Sequence, residues 1–390
     1  MARSFNHLTG HAKALCLALG LMLLSPAASF GFSLVTYNGV PARWQDGKVI
    51  EIELDQNFSP FVSFKGDDGN GPTQTVLETV TRSIDAWRNV TGTSINLRDP
   101  VLTTILEDPH YDGKNQIKMY TDQWANLSFK PPTTALAVTI STYTNPNEII
   151  DSDIFFNGVN FEWANFNDEG DRDGRSKYDI ENVLTHELGH FLGLDHTSVN
   201  SNETEKDFLE ATMFFSSRPG DTERRTLNAK DILGVQHLYT TVPLPQPEVY
   251  EAPDSIRVDA SSEPIIIKGN NFRPTASVVI VRNNGQGDIN GRVVSVSDDE
   301  IIAKFPATTL QTGSYDLVVA NAHNKFVKLT GGLEVVNPNI TGVYESETDS
   351  APSKKRFGCS ADQPFNLWLF IMILAAIIYT RRRLRFNMPF

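Results

Sequence analysis

The chain has 390 residues, 40% of them hydrophobic, and a formal net charge of -13. That length allows two domains and accessory segments. An acidic body argues against nucleic acid as a partner. The two cysteines, Cys16 and Cys359, sit near the ends, so the regions between them offer no disulfide framework.

Residues 1–31 read as a secretory signal. Arg3 and Lys13 precede the apolar run Ala14–Leu24, and small residues follow up to Gly31. The run is short for a membrane span. Next, Ile50, Ile52 and Leu54 alternate with Glu51, Glu53 and Asp55, the period of a half-buried strand. Little chain separates the signal from this strand, which leaves no room for a folded propeptide. In residues 73–91, Val76, Val80, Ile84 and Trp87 repeat every three to four positions and predict a helix with one apolar face. Short strands are expected at 116–120, 135–140 and 153–156, with their relative directions open. The polar run 165–176 reads as a loop leading into the next helix. Its Asp168, Asp171 and Asp173 are oxygen donors suited to Ca2+, although their spacing does not match an EF-hand.

The centre of the chain is Thr185–His196, THELGHFLGLDH. Asp179 or Ser176 is expected to cap its helix. His186 and His190, four apart, share one helix face. Gly193 can adopt the positive φ that ends a helix and turns the chain, bringing His196 to the same point. Three imidazoles around Zn2+ leave a fourth position open, the arrangement of a catalytic site. Glu187, beside the first ligand, suits the general base of a metal-assisted hydrolysis. By chance the full pattern would occur in roughly one in a hundred thousand such chains.

This motif, followed by Thr212-Met213, resembles the metzincin zinc proteases and among them the matrixins. TLNAKDILGVQHLY, 226–239, is similar to the matrixin C-terminal helix, and a Trp before the first strand is similar to the start of matrixin catalytic domains. The resemblance implies an α+β metzincin-like catalytic domain over 32–241, a twisted mixed sheet carrying the active-site helix. It implies one catalytic zinc on His186, His190 and His196, with Glu187 as base and Met213 as a hydrophobic floor beneath the metal. It further implies that Ala135, Leu136, Ala137, Val138 and Thr139 form the cleft rim, pairing with the backbone of protein or peptide substrates. Val138 and Phe155 stand where vertebrate relatives carry histidines for a second, structural zinc, so a second zinc is not expected. The cysteine switch that keeps many matrixins latent lacks its thiolate in the folded domains. Phe214 and Phe215 suggest an apolar wall to the substrate pocket, residues 198–212 a surface excursion, and Asp231 a structural bond back to the Met turn.

Residues 242–253 hold four prolines and read as a semi-rigid spacer. Beyond it, short strand-like runs separated by turns predict an all-β sandwich over 254–337. PIIIKGNNF, FPATTLQTGSYDLVVANA and GGLEVVN resemble an IPT/TIG domain of immunoglobulin-like fold; its partner is not legible. A linker, 338–364, contains Gly358-Cys359. An apolar run, 365–379, and an arginine-rich tail to residue 390 follow. As a helix that run would reach about 22 Å, short of a ~30 Å hydrocarbon core. The pattern resembles bacterial C-terminal sorting signals, with Cys359 a candidate for processing and lipid attachment; a plain membrane span is the alternative. Either places the protein outside the cell or at the envelope surface, held to a membrane by its C-terminus. The functional expectation is a zinc metalloendopeptidase; the alternative is a non-catalytic, surface-displayed zinc-binding or adhesion protein.

Overall fold

Alternating and helical apolar patterns build the first half of the molecule around a main core and a smaller aromatic cluster. The computed structural model describes residues 31–58, 62–64, 72–105, 111–144, 147–166, 176–257, 263–282, 288–306, 310–336, 356–357 and 360–361. Ile50, Ile52 and Leu54 are buried, and the alternation leads into β1 (Glu53–Asp55). Helix α1 (Pro72–Arg88) buries Val76, Val80, Ile84 and Trp87, the stripe its spacing predicts. Strands β2 (Val101–Thr103), β3 (Gln116–Tyr120), β4 (Ala137–Thr144) and β5 (Glu148–Asn157) follow. Ala135 and Leu136 thus precede the rim strand, and the expected strand at 153–156 is the second half of a longer one.

The sheet is mixed. β2, β1, β3 and β5 run parallel, and β4 returns antiparallel beside β5. A short C-terminal strand completes the order at the free side of β4. Strands β6 (Glu162–Asn165) and β7 (Lys177–Asp179) pair in parallel and deliver the chain into α2 (Ile180–Phe191). Every residue of α2 is buried, as expected of a helix enclosed on all sides. It packs on α1, where the Trp87 indole donates to Thr185 O at 2.8 Å. Strand β8 (Ser216–Ser217) and helix α3 (Ala229–Tyr239) close this half. Val138 and Phe155 face each other across β4 and β5, inside an aromatic cluster with Tyr120, Trp124 and Phe129.

The second half is all strand: β9 (Glu248–Glu251), β10 (Ser255–Arg257), β11 (Ile265–Asn270), β12 (Ser277–Val281), β13 (Ile289–Val296), β14 (Glu300–Lys304), β15 (Gly313–Ala322) and β16 (Lys325–Val336). They pair in the order β9-β11-β14-β13-β12-β15-β16-β10 around a separate core that includes Ile267, Phe272, Ile280 and Leu317. Alternation is visible on β11, where Ile265 and Ile267 are buried and Ile266 is exposed.

Two expectations need correction. The spacer expected over 242–253 is not all spacer, because β9 pairs antiparallel with β11. Prolines flank β9, and proline is tolerated at a sheet edge, where one row of N–H groups has no ladder to supply. The excursion over 198–212 is not a free surface loop. Phe208 is buried beneath the Arg292 guanidinium, 3.6 Å from its ring centroid, and Arg292 also pairs with Glu203 and Glu205. The two halves meet elsewhere too, through Asn290 Nδ2 donating to Leu34 O at 2.9 Å and Gly39 N donating to Asp288 Oδ2 at 2.7 Å. The expected signal, the acidic loop with Asp168, Asp171 and Asp173, Cys359, and the apolar C-terminal run lie outside the described residues. Among the described residues no helix is long and apolar enough to cross a membrane.

Candidate metal centre

Asp179 ends β7 and caps α2. Its Oδ1 accepts from Asn182 N at 2.7 Å, satisfying one of the amide groups a helix start leaves open. Arg225 binds both carboxylate oxygens, Nε to Oδ1 at 2.8 Å and Nη2 to Oδ2 at 2.6 Å. The start of the helix is therefore fixed by a fully buried charge and its bidentate partner.

The other end is fixed by the turn. Gly193 has φ +100°, and a Cβ there would lie 2.1 Å from Ala42 O. Only glycine satisfies both the conformation and the close approach. The chain then reverses as Leu194 and Asp195 pair with Leu34 and Ser33. Two aromatic residues hold the last carbonyls of the helix: Trp44 Nε1 donates to Phe191 O at 2.9 Å, and the Tyr239 hydroxyl donates to Leu192 O at 2.6 Å. Carbonyls at a helix end lack intrahelical donors, so these bonds set where the turn begins.

The result brings the three histidines together. Ring centroids are 4.7 Å apart for His186–His190, 4.7 Å for His190–His196 and 5.2 Å for His186–His196. Nδ1 of His186 lies 2.6 Å from Thr212 O, and Nδ1 of His190 lies 2.9 Å from Leu194 O. Donation to those carbonyls places the proton on Nδ1 and leaves the Nε2 lone pair free to bind. Nε2 of His186 is buried with no hydrogen-bond partner. Nε2 of His190 and of His196 are 3.2 Å apart. At that separation either one ring donates to the other or both lone pairs face a shared cation. Tetrahedral zinc with bonds of about 2.0–2.1 Å separates neighbouring nitrogens by ~3.3 Å. The donor set and its spacing therefore fit Zn2+. Burial holds all three imidazoles neutral, with His186 well below the ordinary range, His190 lowered to about 3 and His196 to about 4. Among the described residues this is the one group of three or more His, Cys, Asp or Glu side chains placed to hold a metal.

Met213 packs against the histidine helix between the first two imidazoles in sequence. A Cβ on Gly189 would meet its Sδ at 2.2 Å, so the absence of a side chain there admits the thioether. Asp231 holds the Met turn from α3, accepting from Thr212 N at 2.8 Å, Met213 N at 3.1 Å and Asn228 N at 2.9 Å. Its expected bond to the turn is thus present. Burial pushes its carboxyl up, against the pull of those three amides.

Glu187 is fully buried, and its Oε2 accepts from the Thr139 hydroxyl at 2.6 Å. Thr139 also pairs in β4, so one residue of the expected rim both lines the sheet edge and holds the expected base. Phe214 and Phe215 are buried, the latter ring 6.5 Å from His196. The motif alone identifies the imidazoles and Glu187. It does not reveal the Trp44 and Tyr239 clasp, Arg225, or the Thr139 hydroxyl, because each acts across 46 to 147 positions of sequence.

Comparison with known proteins agrees with this geometry. Residues 64–240 match the family model of the matrixins, peptidase M10. Over 65 residues the chain is 40% identical to Metalloendoproteinase 4-MMP of Arabidopsis thaliana. That match covers 17% of this chain and spans 16% of the plant protein's length. A solved Bacteroides thetaiotaomicron protein of unknown function matches at 18% identity with a TM-score of 0.21, over 24% of this chain and 23% of that one, too slight a likeness to bear on the fold. The family match supports a matrixin-like metalloprotease with a metzincin α+β catalytic fold.

Proposed function

We propose that the chain is an exported zinc-dependent endopeptidase, with His186, His190 and His196 as metal ligands and Glu187 as general base. The observation that carries this reading is the convergence of three neutral imidazoles on one point, two of them oriented by backbone carbonyls, with Nε2 of His186 buried and unpartnered and those of His190 and His196 3.2 Å apart. Zinc bound there would polarise the scissile carbonyl and acidify the attacking water. Glu187 accepts the proton of that water and delivers it to the departing amide nitrogen. The Thr139 hydroxyl holds the carboxylate in position for both transfers. The substrate backbone lies along β4, and Phe214 and Phe215 make an apolar wall for the side chain after the cleaved bond.

The eight-stranded half is an immunoglobulin-like IPT/TIG module that acts as a spacer or binding unit. The C-terminus places the enzyme at the envelope surface, with Cys359 as its processing point. Glu187→Gln tests the mechanism. Zinc stoichiometry stays at wild-type level while kcat/KM on a quenched peptide falls about a thousandfold. Turnover retained in that variant ends the assignment of the base.

A further inference from the structure

We propose that, before any processing at Cys359, the peptide cleft has a resident occupant, the C-terminal segment of the same chain, which docks along the rim and the pocket wall and competes with outside peptides. The proposal rests on the peptidase reading and names how that site is restrained. Strand β17 (Arg356–Phe357) pairs antiparallel with β4, Arg356 opposite Ile140 and Phe357 opposite Thr139. Strand β18 (Ser360–Ala361) pairs parallel with β8, Ser360 opposite Ser216 and Ala361 opposite Ser217.

These two anchors flank the metal centre. Thr139 carries the hydroxyl that binds Glu187. Ser217 Oγ accepts from Asn182 of the histidine helix at 3.0 Å, and Ser216 follows Phe215, whose ring stands beside His196. From Phe357 to Ser360 is three peptide steps, about 11 Å when extended. That reach lets one segment engage both the rim and the wall. The pairing uses main-chain groups along the outer side of β4 and along β8, the mode by which an extended peptide adds to a sheet. Four paired residues bind weakly by themselves, but the segment belongs to the chain it occupies. A tether confers an effective concentration on the order of 1 mM, so an intrinsic affinity on the order of 0.1 mM raises the apparent KM for outside peptides about tenfold.

The test compares the full chain with the double variant Arg356→Pro/Phe357→Pro, in which β17 has no amide hydrogens left to pair. Neither residue belongs to the metal site. Expected are a KM about tenfold lower, an unchanged kcat, and faster exchange of the one amide of the Thr139–Ile140 pair that faces β17. A synthetic peptide of residues 352–364 added to the double variant restores both the high KM and the slow exchange. A cut within 356–361 found by intact mass, and abolished by Glu187→Gln, also supports the docking. Identical KM and identical exchange in both forms overturn it. Exchange that differs while neither form hydrolyses peptide upholds the docking and sinks the peptidase reading instead.

Discussion

The two halves of the molecule are stabilised in opposite ways. The eight-stranded half is held mainly by aliphatic packing, with Ile267, Ile280, Leu317 and Val319 buried in its core and the Asp316–Lys328 pair at its side. The histidine half buries charge and polar groups deliberately: Asp179, Glu187, Asp231 and three imidazoles lie at or near zero exposure, apart from the half-buried His196. Apolar packing tolerates small repairs, whereas a buried ionic group depends on its partner being present. The halves should therefore respond differently to the loss of one side chain.

Arg225→Ala gives the largest effect. It leaves the Asp179 carboxylate buried and unpaired at the start of the histidine helix, which costs about 3–5 kcal/mol. Zinc affinity falls with it, measured by chelator competition beside urea unfolding. Zinc affinity equal to wild type in a destabilised variant would separate the helix cap from the metal centre.

The seam gives the next effect. His237 Nδ1 lies 2.8 Å from Thr275 O, and burial lowers its pKa to about 4. The folded state holds this ring neutral while the unfolded chain protonates it near 6.5. Its contribution is therefore complete above about pH 6.5 and is lost as the pH falls toward 4, on the order of 3 kcal/mol in all. His237→Gln keeps a donor for Thr275 and flattens that slope in urea titrations at several pH values. An unchanged slope would assign the acid sensitivity to other groups.

Ile267→Val gives the smallest effect. It removes one buried methylene from the eight-stranded core, for about 1 kcal/mol, with zinc affinity and kcat/KM unmoved. A shift in either would show that the β half sets the geometry of the site.

The sequence was most legible where chemistry is local. Spacing within 186–196 picked out the three imidazoles that converge, Asp179 is the one of the two expected caps that holds the helix start, and Asp231 makes its tie to the Met turn. Alternation located most strands, but β9 stayed hidden because four prolines mask an edge strand that needs only half of its amides. The occupancy of the rim was equally hidden. Of the five expected rim residues only Thr139 pairs with the C-terminal segment, and its partner is 218 positions away. No periodicity encodes a contact of that range. Main-chain pairing reads no side chains, so it leaves no pattern to find.

The Tyr239 hydroxyl on Leu192 O bears on the order of assembly. All three imidazoles leave the ribosome more than forty residues before this phenol does. A nascent chain stopped short of Tyr239 has its metal donors but lacks the clasp that locks the reversal in front of His196. The reversal in front of His196 thus stays unlocked until the final helix of this half has packed, so the centre is completed late in folding.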